Sequence, residues 1–247
     1  MLFAAFPASA QHSNIVVQCP KDVGTELHPA GDPAIKCDHL TAGDGMVTMA
    51  DGYPQYIFSF ARVPLPGEGG APTEASGEYP GWVMAQGNLA ANAPAPTIVV
   101  DEDDELFLSL TNVGMTMRPD LFDPHTVHWH GFPQASSIFD GVPDSSISIN
   151  MGATLTYYYN AKDAGTYMYH CHVEATEHMQ MGMLGNLYVR PLQNKNGYGG
   201  NPATISRLGG NATSAVEGYV YNDGDGTTAY DVEMPVQLGG FDPAFHD

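Results

Sequence analysis

Short runs of alternating apolar and polar residues, separated by turn-forming residues, constrain the fold of this chain most. In 105–112 (ELFLSLTN) three leucines recur at every second position and share one face of an extended strand, and 154–160 (TLTYYYN) alternates in the same way. The 28 glycines and 19 prolines supply turns between such runs. The sequence therefore predicts an all-β fold, a Greek-key sandwich of two sheets.

Other parts of the chain divide into expected strands, one helical turn and loops. A short helical turn is expected around 174–180, a loop over the Gly-, Pro- and acid-rich stretch 66–81, and a linker over 193–214. Further strands are expected at 54–63, 96–100, 165–172 and 184–191.

The domain organisation follows from these changes in pattern. Residues 1–10 end in Ala-Ser-Ala, which is typical of a secretion cleavage site, and predict a signal-peptide remnant and a periplasmic or secreted protein. Outside the cytoplasm, Cys19 and Cys37 either form a disulfide or remain two thiols, because spacing does not fix their geometry. The remaining predicted segments are an N-terminal extension (11–44), a domain with the motifs described below (45–191), a linker (192–215) and the start of a truncated second domain (216–247).

The charge balance excludes two classes of partner. Twenty-eight acidic residues against eight basic ones give a formal net charge of −20, which repels nucleic acids and anionic membrane surfaces. No stretch approaches eighteen consecutive apolar residues, so no membrane-spanning helix is expected. Such acidity is typical of a solvated surface, and it also attracts cationic substrates or partners.

Histidines in 125–130 (HTVHWH) follow the alternation of a strand. His128 and His130 are two positions apart and are expected on one face, whereas Trp129 points to the other. Regular alternation places His125 on the same side as Trp129.

A second cluster repeats this pattern around a cysteine. His170 and His172 are expected on one face of a strand and Cys171 on the other. The two clusters together predict two metal sites back to back, one with four imidazoles and one with His125 and Cys171.

The ligand types in the cysteine site favour copper. A thiolate with two imidazoles and a weak axial thioether is the ligand set of a blue-copper electron-transfer site, and His178 and Met183 downstream complete it. Met179 and Met181 are nearby alternatives for the axial position. Zinc normally uses a closed tetrahedral set without a cysteine between two histidines. Cys171 would bind one copper and its covalent neighbours others, so that electrons pass between the sites along bonds.

The motifs HTVHWHG and YHCHVEATEHMQMGM resemble those of multicopper oxidases, the laccase-like proteins of the cupredoxin family, and PAPTIVVDEDDELFLSLTN resembles the family's early strand pair. The resemblance implies a Greek-key cupredoxin β-sandwich and reduction of dioxygen to water. It implies type 1 copper ligands His125, Cys171 and His178, with Met183 axial. It implies that the ligands of a type 2/type 3 trinuclear copper cluster are His128, His130, His170 and His172.

The loop after Cys171 departs from the laccase pattern. In laccase-like proteins the second type 1 histidine follows the cysteine by five residues and the axial residue by ten, whereas here the offsets are seven and twelve. Copper nitrite reductases, with the same fold, have a longer loop still, but they carry Asp at the position of His128 and no metal-binding histidine after the cysteine. The residues therefore favour oxygen reduction. A non-catalytic blue-copper electron carrier is a third hypothesis, although carriers do not need the four cluster histidines.

The resemblance also implies that the cluster is shared. The family's cluster uses eight histidines from two cupredoxin domains, and this chain supplies four. The others would come from a second domain or subunit, either in a homotrimer of two-domain chains or by self-association of a one-domain protein.

The remaining expectations concern protons and the electron donor. Asp140 in FDGVPD resembles the family's proton-relaying acid, although an Asp-Gly turn without further role is the alternative. Trp129 and Tyr167 are expected to pack and not to relay electrons. The donor is expected to be a phenol-like molecule or a metal ion.

Overall fold

The computed structural model describes residues 14–133, 135–196 and 218–246. The eight strands of its two main sheets are β1 (Ile35–Thr48), β2 (Pro54–Arg62), β3 (Ala95–Asp101), β4 (Glu105–Gly114), β5 (His128–His130), β6 (Thr154–Asn160), β7 (Gly165–His170) and β8 (Leu184–Arg190). The three α-helices within the described ranges are α1 (Tyr79–Gly87), α2 (Ala175–Gln180) and α3 (Gln193–Asn196). None of the helices described is long and apolar enough to cross a membrane.

The strands form two four-stranded sheets that enclose one core. The first sheet has the order β2–β1–β4–β6 and the second the order β3–β8–β7–β5. The pairs β1–β4 and β3–β8 are parallel, and the other four pairs are antiparallel. The predicted all-β sandwich is confirmed, as are the strands predicted at 54–63, 96–100, 105–112, 154–160 and 184–191 and the helical turn around 174–180.

The core lies between the inward faces of both sheets. Leu106, Leu108 and Leu110 of β4 are buried together, as their alternation predicts. Burial of each such leucine stabilises the fold by about 2 kcal/mol. From the facing sheet, the Trp129 ring stacks on Tyr159 with centroids 3.8 Å apart and an interplanar angle of 9°. Trp129 is therefore a packing residue, and it fixes the orientation of β5 between its two flanking histidines.

Strand β1 was not among the strands predicted from the sequence. It begins at Ile35, so the predicted domain start at residue 45 falls inside a strand that pairs with both β2 and β4. The strand was missed because KCDHLTAGDG lacks a simple apolar alternation. Both of its faces are covered, one by the core and one by α1, so that polar residues such as His39 are also buried.

Helix α1 was not predicted from the sequence either. It begins inside the predicted loop 66–81, at Tyr79. Pro80 and Gly81 mark a turn in sequence terms, but proline is tolerated in the first turn of a helix. The buried side chains of Tyr79 and Val83 attach this helix to the outer face of β1.

The segments at the two ends of the chain are described only in part. A disulfide joins Cys19 to Cys37 of β1, which closes the loop between them and is expected to stabilise the fold by about 3 kcal/mol. The predicted signal remnant 1–10 lies outside the described residues, as does most of the predicted linker. Beyond it, β9 (Gly218–Tyr219) and β10 (Ala229–Tyr230) form a small hairpin, and Arg190 binds Glu233 at 2.9 Å. A second domain beginning here stays a prediction.

The hydrogen bonds of buried His39 predict a pH dependence of folding. The Tyr79 hydroxyl donates to the Pro64 carbonyl, so it accepts from Nδ1 of His39, and Nε2 of the same ring lies 2.7 Å from the Thr111 hydroxyl. The ring is fully buried, and because burial disfavours its charged form the pKa of His39 is lowered to about 4.

We therefore expect acid to weaken the fold through His39. Between pH 6.5 and 4 the unfolded chain binds a proton that the folded His39 does not, so this contribution to stability is complete above pH 6.5 and is lost as the pH falls, by up to about 3 kcal/mol. Urea unfolding from pH 7 to pH 4 measures this loss, and His39→Gln, which stays neutral, should show a shallower decline. Parallel pH profiles for the two proteins would contradict the assignment.

Candidate metal centres

The first candidate centre is a buried group of one sulfur and two imidazoles. The Sγ atom of Cys171 lies 3.1 Å from Nδ1 of His178 and 3.9 Å from Nδ1 of His125. All three side chains are buried, and their donor atoms lie within 4.8 Å of one another. The end of β7 delivers Cys171, the segment leading into β5 delivers His125 through a bridge to Ile149, and α2 delivers His178.

The backbone ties Met183 to this centre. Its N–H donates to the His178 carbonyl at 2.9 Å, and its carbonyl accepts from the Cys171 N–H at 3.2 Å. Its side chain is fully buried, and that of Met181 is nearly so. Two buried thioethers thus lie on the loop that closes the centre, and the backbone of Met183 binds both Cys171 and His178.

Burial sets the protonation states of this centre. Loss of solvent lowers the pKa of His125 to about 3 and also lowers the pKa of His178, so both rings are neutral at pH 7. The same burial raises the pKa of the Cys171 thiol to about 11, against the opposing effect of the Thr126 N–H at 3.4 Å. Metal coordination requires neutral imidazoles, and both histidines are in that state. The thiol loses its proton when a metal binds.

The second candidate centre is a face of four imidazoles on the neighbouring strands β5 and β7. His128 pairs directly with His170 across the ladder, and their ring centroids are 5.2 Å apart. The ring centroid of His172 lies 5.0 Å from that of His128 and 5.7 Å from that of His170. Nδ1 of His130 lies 3.1 Å from Nε2 of His170. The four rings therefore meet on one side of the sheet, as their spacing predicts.

Hydrogen bonds to backbone carbonyls orient two of these rings. Nδ1 of His128 donates to the Asp140 carbonyl at 2.6 Å, and Nδ1 of His170 donates to the Cys171 carbonyl at 2.8 Å. Backbone acceptors of this kind fix the tautomer and orientation of metal-binding histidines. Nε2 is therefore the atom left for a metal in His128, whereas Nε2 of His170 lies 3.1 Å from Nδ1 of His130.

Asp140 lies beside this face. Its carboxylate Oδ1 is 3.3 Å from Nδ1 of His128, in addition to the carbonyl contact. The following residue, Gly141, has φ 76°, and a Cβ there would collide with the Val127 carbonyl, so the turn approaches β5 as only glycine permits. The structure thus contains both the Asp-Gly turn and an Asp140 carboxylate that lies close to the imidazoles.

The tripeptide 170–172 connects the two centres. The sulfur of Cys171 faces His125 and His178, while the flanking rings of His170 and His172 face His128. Two separate donor sets are thus joined through a few covalent bonds. Regular strand geometry ends at His170, but the alternation of side chains continues to His172.

Two carboxylates beside His178 were not among the site residues predicted from the sequence. Oxygens of Asp123 and Glu174 and one ring nitrogen of His178 lie within 4.8 Å of one another. Asp123 precedes His125 by two residues, and Glu174 lies in the two-residue-longer loop. That extra length was the signal that could have drawn attention to Glu174.

The donor chemistry fits copper. A buried thiol with two neutral imidazoles and an adjacent thioether matches a type 1 copper set, and an all-imidazole face suits copper in the second centre. Fold and donor sets together define a cupredoxin-class copper domain.

Comparison with known proteins gives the family of this domain. Residues 84–194 match the family model described as multicopper oxidase. The chain is 36% identical over 131 residues to Laccase-1 of Emericella nidulans, which covers 49% of this chain and 17% of that protein. It is 36% identical over 103 residues to the multicopper oxidase MCE of Talaromyces pinophilus, covering 41% and 16% respectively.

Among solved structures, a blue copper oxidase from Nitrosomonas europaea aligns at 29% identity and a TM-score of 0.46, over 70% of this chain and 41% of that one. By the family match and the curated relatives, residues 84–194 are similar to the laccase-like multicopper oxidases, a family of copper-binding oxidoreductases. The chain spans about a sixth of the length of the curated relatives it matches.

Proposed function

We propose that this chain supplies the type 1 copper domain of a laccase-like oxidase that couples one-electron oxidation of a reducing substrate to reduction of dioxygen to water. The observation that carries the proposal is the tripeptide 170–172, which turns its sulfur to one donor set and its imidazoles to another. Copper bound at these sets would supply the redox chemistry. The residues of the chain hold the donors, exclude water from the sulfur and join the centres.

Electrons would enter near His178 and leave through Cys171. Helix α2, on the loop side of the centre, contributes the type 1 imidazole of His178. Asp123 and Glu174 lie next to this ring. The covalent neighbours of Cys171 are the cluster imidazoles His170 and His172. This arrangement supports a bonded route from the donor side to the oxygen side of the domain.

The four-imidazole face would be half of a trinuclear cluster. His130 is exposed and the face lies at the edge strand β5, so that a second domain or subunit can approach it. We propose that four further histidines come from such a partner, and that a homotrimer of two-domain chains is the assembly. The clustering of all four imidazoles favours this oxidase over a blue-copper carrier or a nitrite reductase.

Asp140 would move protons for oxygen reduction. Its carboxylate lies 3.3 Å from Nδ1 of His128, and reduction of one dioxygen to two waters consumes four protons. A carboxylate at this distance can accept protons from solvent and pass them on. The disulfide between Cys19 and Cys37 supports a secreted or periplasmic protein, because such bonds persist in oxidising compartments.

The test is spectroscopy and oxygen uptake on the copper-loaded, full-length protein. We expect an intense blue band from the thiolate-bound copper, an absorption from coupled coppers, and oxygen consumption when a phenol or a reduced metal ion is added. Copper content and mass of the same sample give the assembly. Blue colour without oxygen consumption would support an electron carrier, and consumption of nitrite would support a nitrite reductase.

A further inference from the structure

A row of exposed apolar side chains follows the hairpin β9–β10. Within 231–240 (DVEMPVQLGG) every second residue is apolar, and four such side chains are 65% to 89% exposed, those of Val232, Met234, Val236 and Leu238. The residues between them are half-buried. Glu233 binds Arg190, and the Gln237 amide donates to the Leu184 carbonyl at 3.2 Å. One side of the segment is thus attached to β8, and the other side, here called the apolar row, has the contiguous exposure that is typical of an interaction site.

The apolar row lies on the side of the second sheet that faces away from the core. Val189 of β8 points into the core, so its neighbours Tyr188 and Arg190 point to the opposite side. A groove of about 300 Å³ on that side is lined by Tyr188 and Arg190 of β8 and by Val232 and Met234 of the row. The row therefore forms one wall of a groove on the outer side of the sheet.

The same side of the sheet carries the four imidazoles. In the ladder between β7 and β8, Tyr188 pairs with Thr166 and Leu184 pairs with His170. Thr166 and His170 are four residues apart on one strand and point to the same side, which separates them by about 13 Å. An ordinary interface of about 800 Å² per partner is roughly 30 Å across. One partner can therefore cover the groove and the imidazole face together.

Buried Arg190 is an independent sign that the groove receives a partner. Its side chain is 5% exposed, and its Nη2 donates to the Glu233 carboxylate at 2.9 and 3.0 Å. Its Nε is buried and has no hydrogen-bond partner among the residues that the structure describes. A buried donor without an acceptor is costly. An oxygen atom of a molecule that docks in the groove would supply that acceptor.

We propose that the apolar row and the groove are the surface on which a neighbouring subunit of the same protein docks, so that its histidines reach the four-imidazole face. This inference rests on the proposed function, because it assigns the surface that brings the missing copper ligands. The path of the chain favours a neighbouring subunit over a following domain of the same chain. Nδ1 of His246 donates to the Tyr56 carbonyl of β2, so the chain has reached the first sheet and left the imidazole side by that point.

Assembly can be measured by sedimentation of the copper-loaded, full-length protein at a series of dilutions. Met234→Asp with Val236→Asp would bury two unpaired carboxylates in the interface, so the concentration at which the subunits dissociate should rise at least about 100-fold. The matched control is Val23→Asp with Leu27→Asp, which adds the same charge at exposed apolar positions of the N-terminal segment. It should leave the assembly unchanged.

Copper content and absorption connect assembly with the second centre. At a concentration where the wild-type protein is assembled, Met234→Asp with Val236→Asp should lose the absorption of coupled coppers and the oxygen consumption. The blue band should remain, which also verifies that the variant is folded. A second variant, Leu238→Cys, carries an environment-sensitive fluorophore in the row. Its emission should move to longer wavelength on dilution, whereas the same label on Val23→Cys should not respond.

Three outcomes would overturn the docking surface. The first is an assembly of Met234→Asp with Val236→Asp that dissociates at the same concentration as the control, and the second is a label at position 238 that does not respond to dilution. The third is a wild-type monomer with coupled coppers, which would leave the proposed oxidase activity intact, because a domain of the same chain would then complete the cluster. A wild-type protein without coupled coppers that consumes no oxygen refutes the proposed function instead.

Discussion

Replacing Cys171 with serine should remove the blue absorption of the copper-loaded protein and stop donor-driven oxygen uptake. The sulfur faces His125 and His178 and belongs to the same tripeptide as His170 and His172. A serine hydroxyl does not supply the soft thiolate that this copper site requires. We expect the oxidation rate to fall by more than about 100-fold, the upper end of the loss from changing a group that merely supports a metal ligand. Absorption spectra and oxygen-electrode traces measure the two effects.

A control separates this effect from the loss of a cysteine as such. The double substitution Cys19→Ser and Cys37→Ser removes the disulfide between the N-terminal segment and β1 but touches neither donor set. It should lower the melting temperature and leave the blue band of the folded protein in place. A blue band that survives Cys171→Ser would show that another residue provides the sulfur ligand.

Replacing His172 with alanine should separate colour from oxygen consumption. The ring of His172 lies 5.0 Å from His128, whereas the sulfur of its neighbour Cys171 faces the opposite way. The variant should therefore retain the type 1 absorption, lose copper from the second centre, and reduce dioxygen more than about 100-fold more slowly, since a direct ligand matters more than its supporting groups. Copper analysis, absorption spectra and oxygen uptake provide the three measurements.

The matched control is His28→Ala, which removes a histidine bound to Asp32 in the N-terminal segment. This protein should keep both its copper content and its oxygen consumption. Normal oxygen uptake by His172→Ala would mean that His172 is not needed for oxygen reduction and that the four-imidazole face is not its centre.

The core strands could be predicted well because their two faces differ. In β4 and β6 apolar residues that enter the core alternate with residues of other types, so the pattern of two is visible in the letters themselves, even though the second face of β4 is also buried. In β1 the main core receives Leu40 and the small Ala42, and the next residue in the same alternation is the buried Asp44, so no run of large apolar residues appears at every second position. The buried hydrogen bonds of His39 belong to the other face of β1, and no local pattern indicates a partner as distant as Tyr79 or Thr111.

The sequence by itself determined how the two donor sets are joined. Adjacent side chains of an extended chain point to opposite sides, so His-Cys-His and His-Trp-His dictate which atoms can share a site wherever the strands lie. Only the tertiary structure decided that Asp123 and Glu174 meet at His178, because that contact depends on the path of the loop after Cys171 and not on any short-range periodicity. The connection between the two donor sets is thus local and can be predicted from the sequence, whereas the surroundings of His178 depend on how distant segments pack.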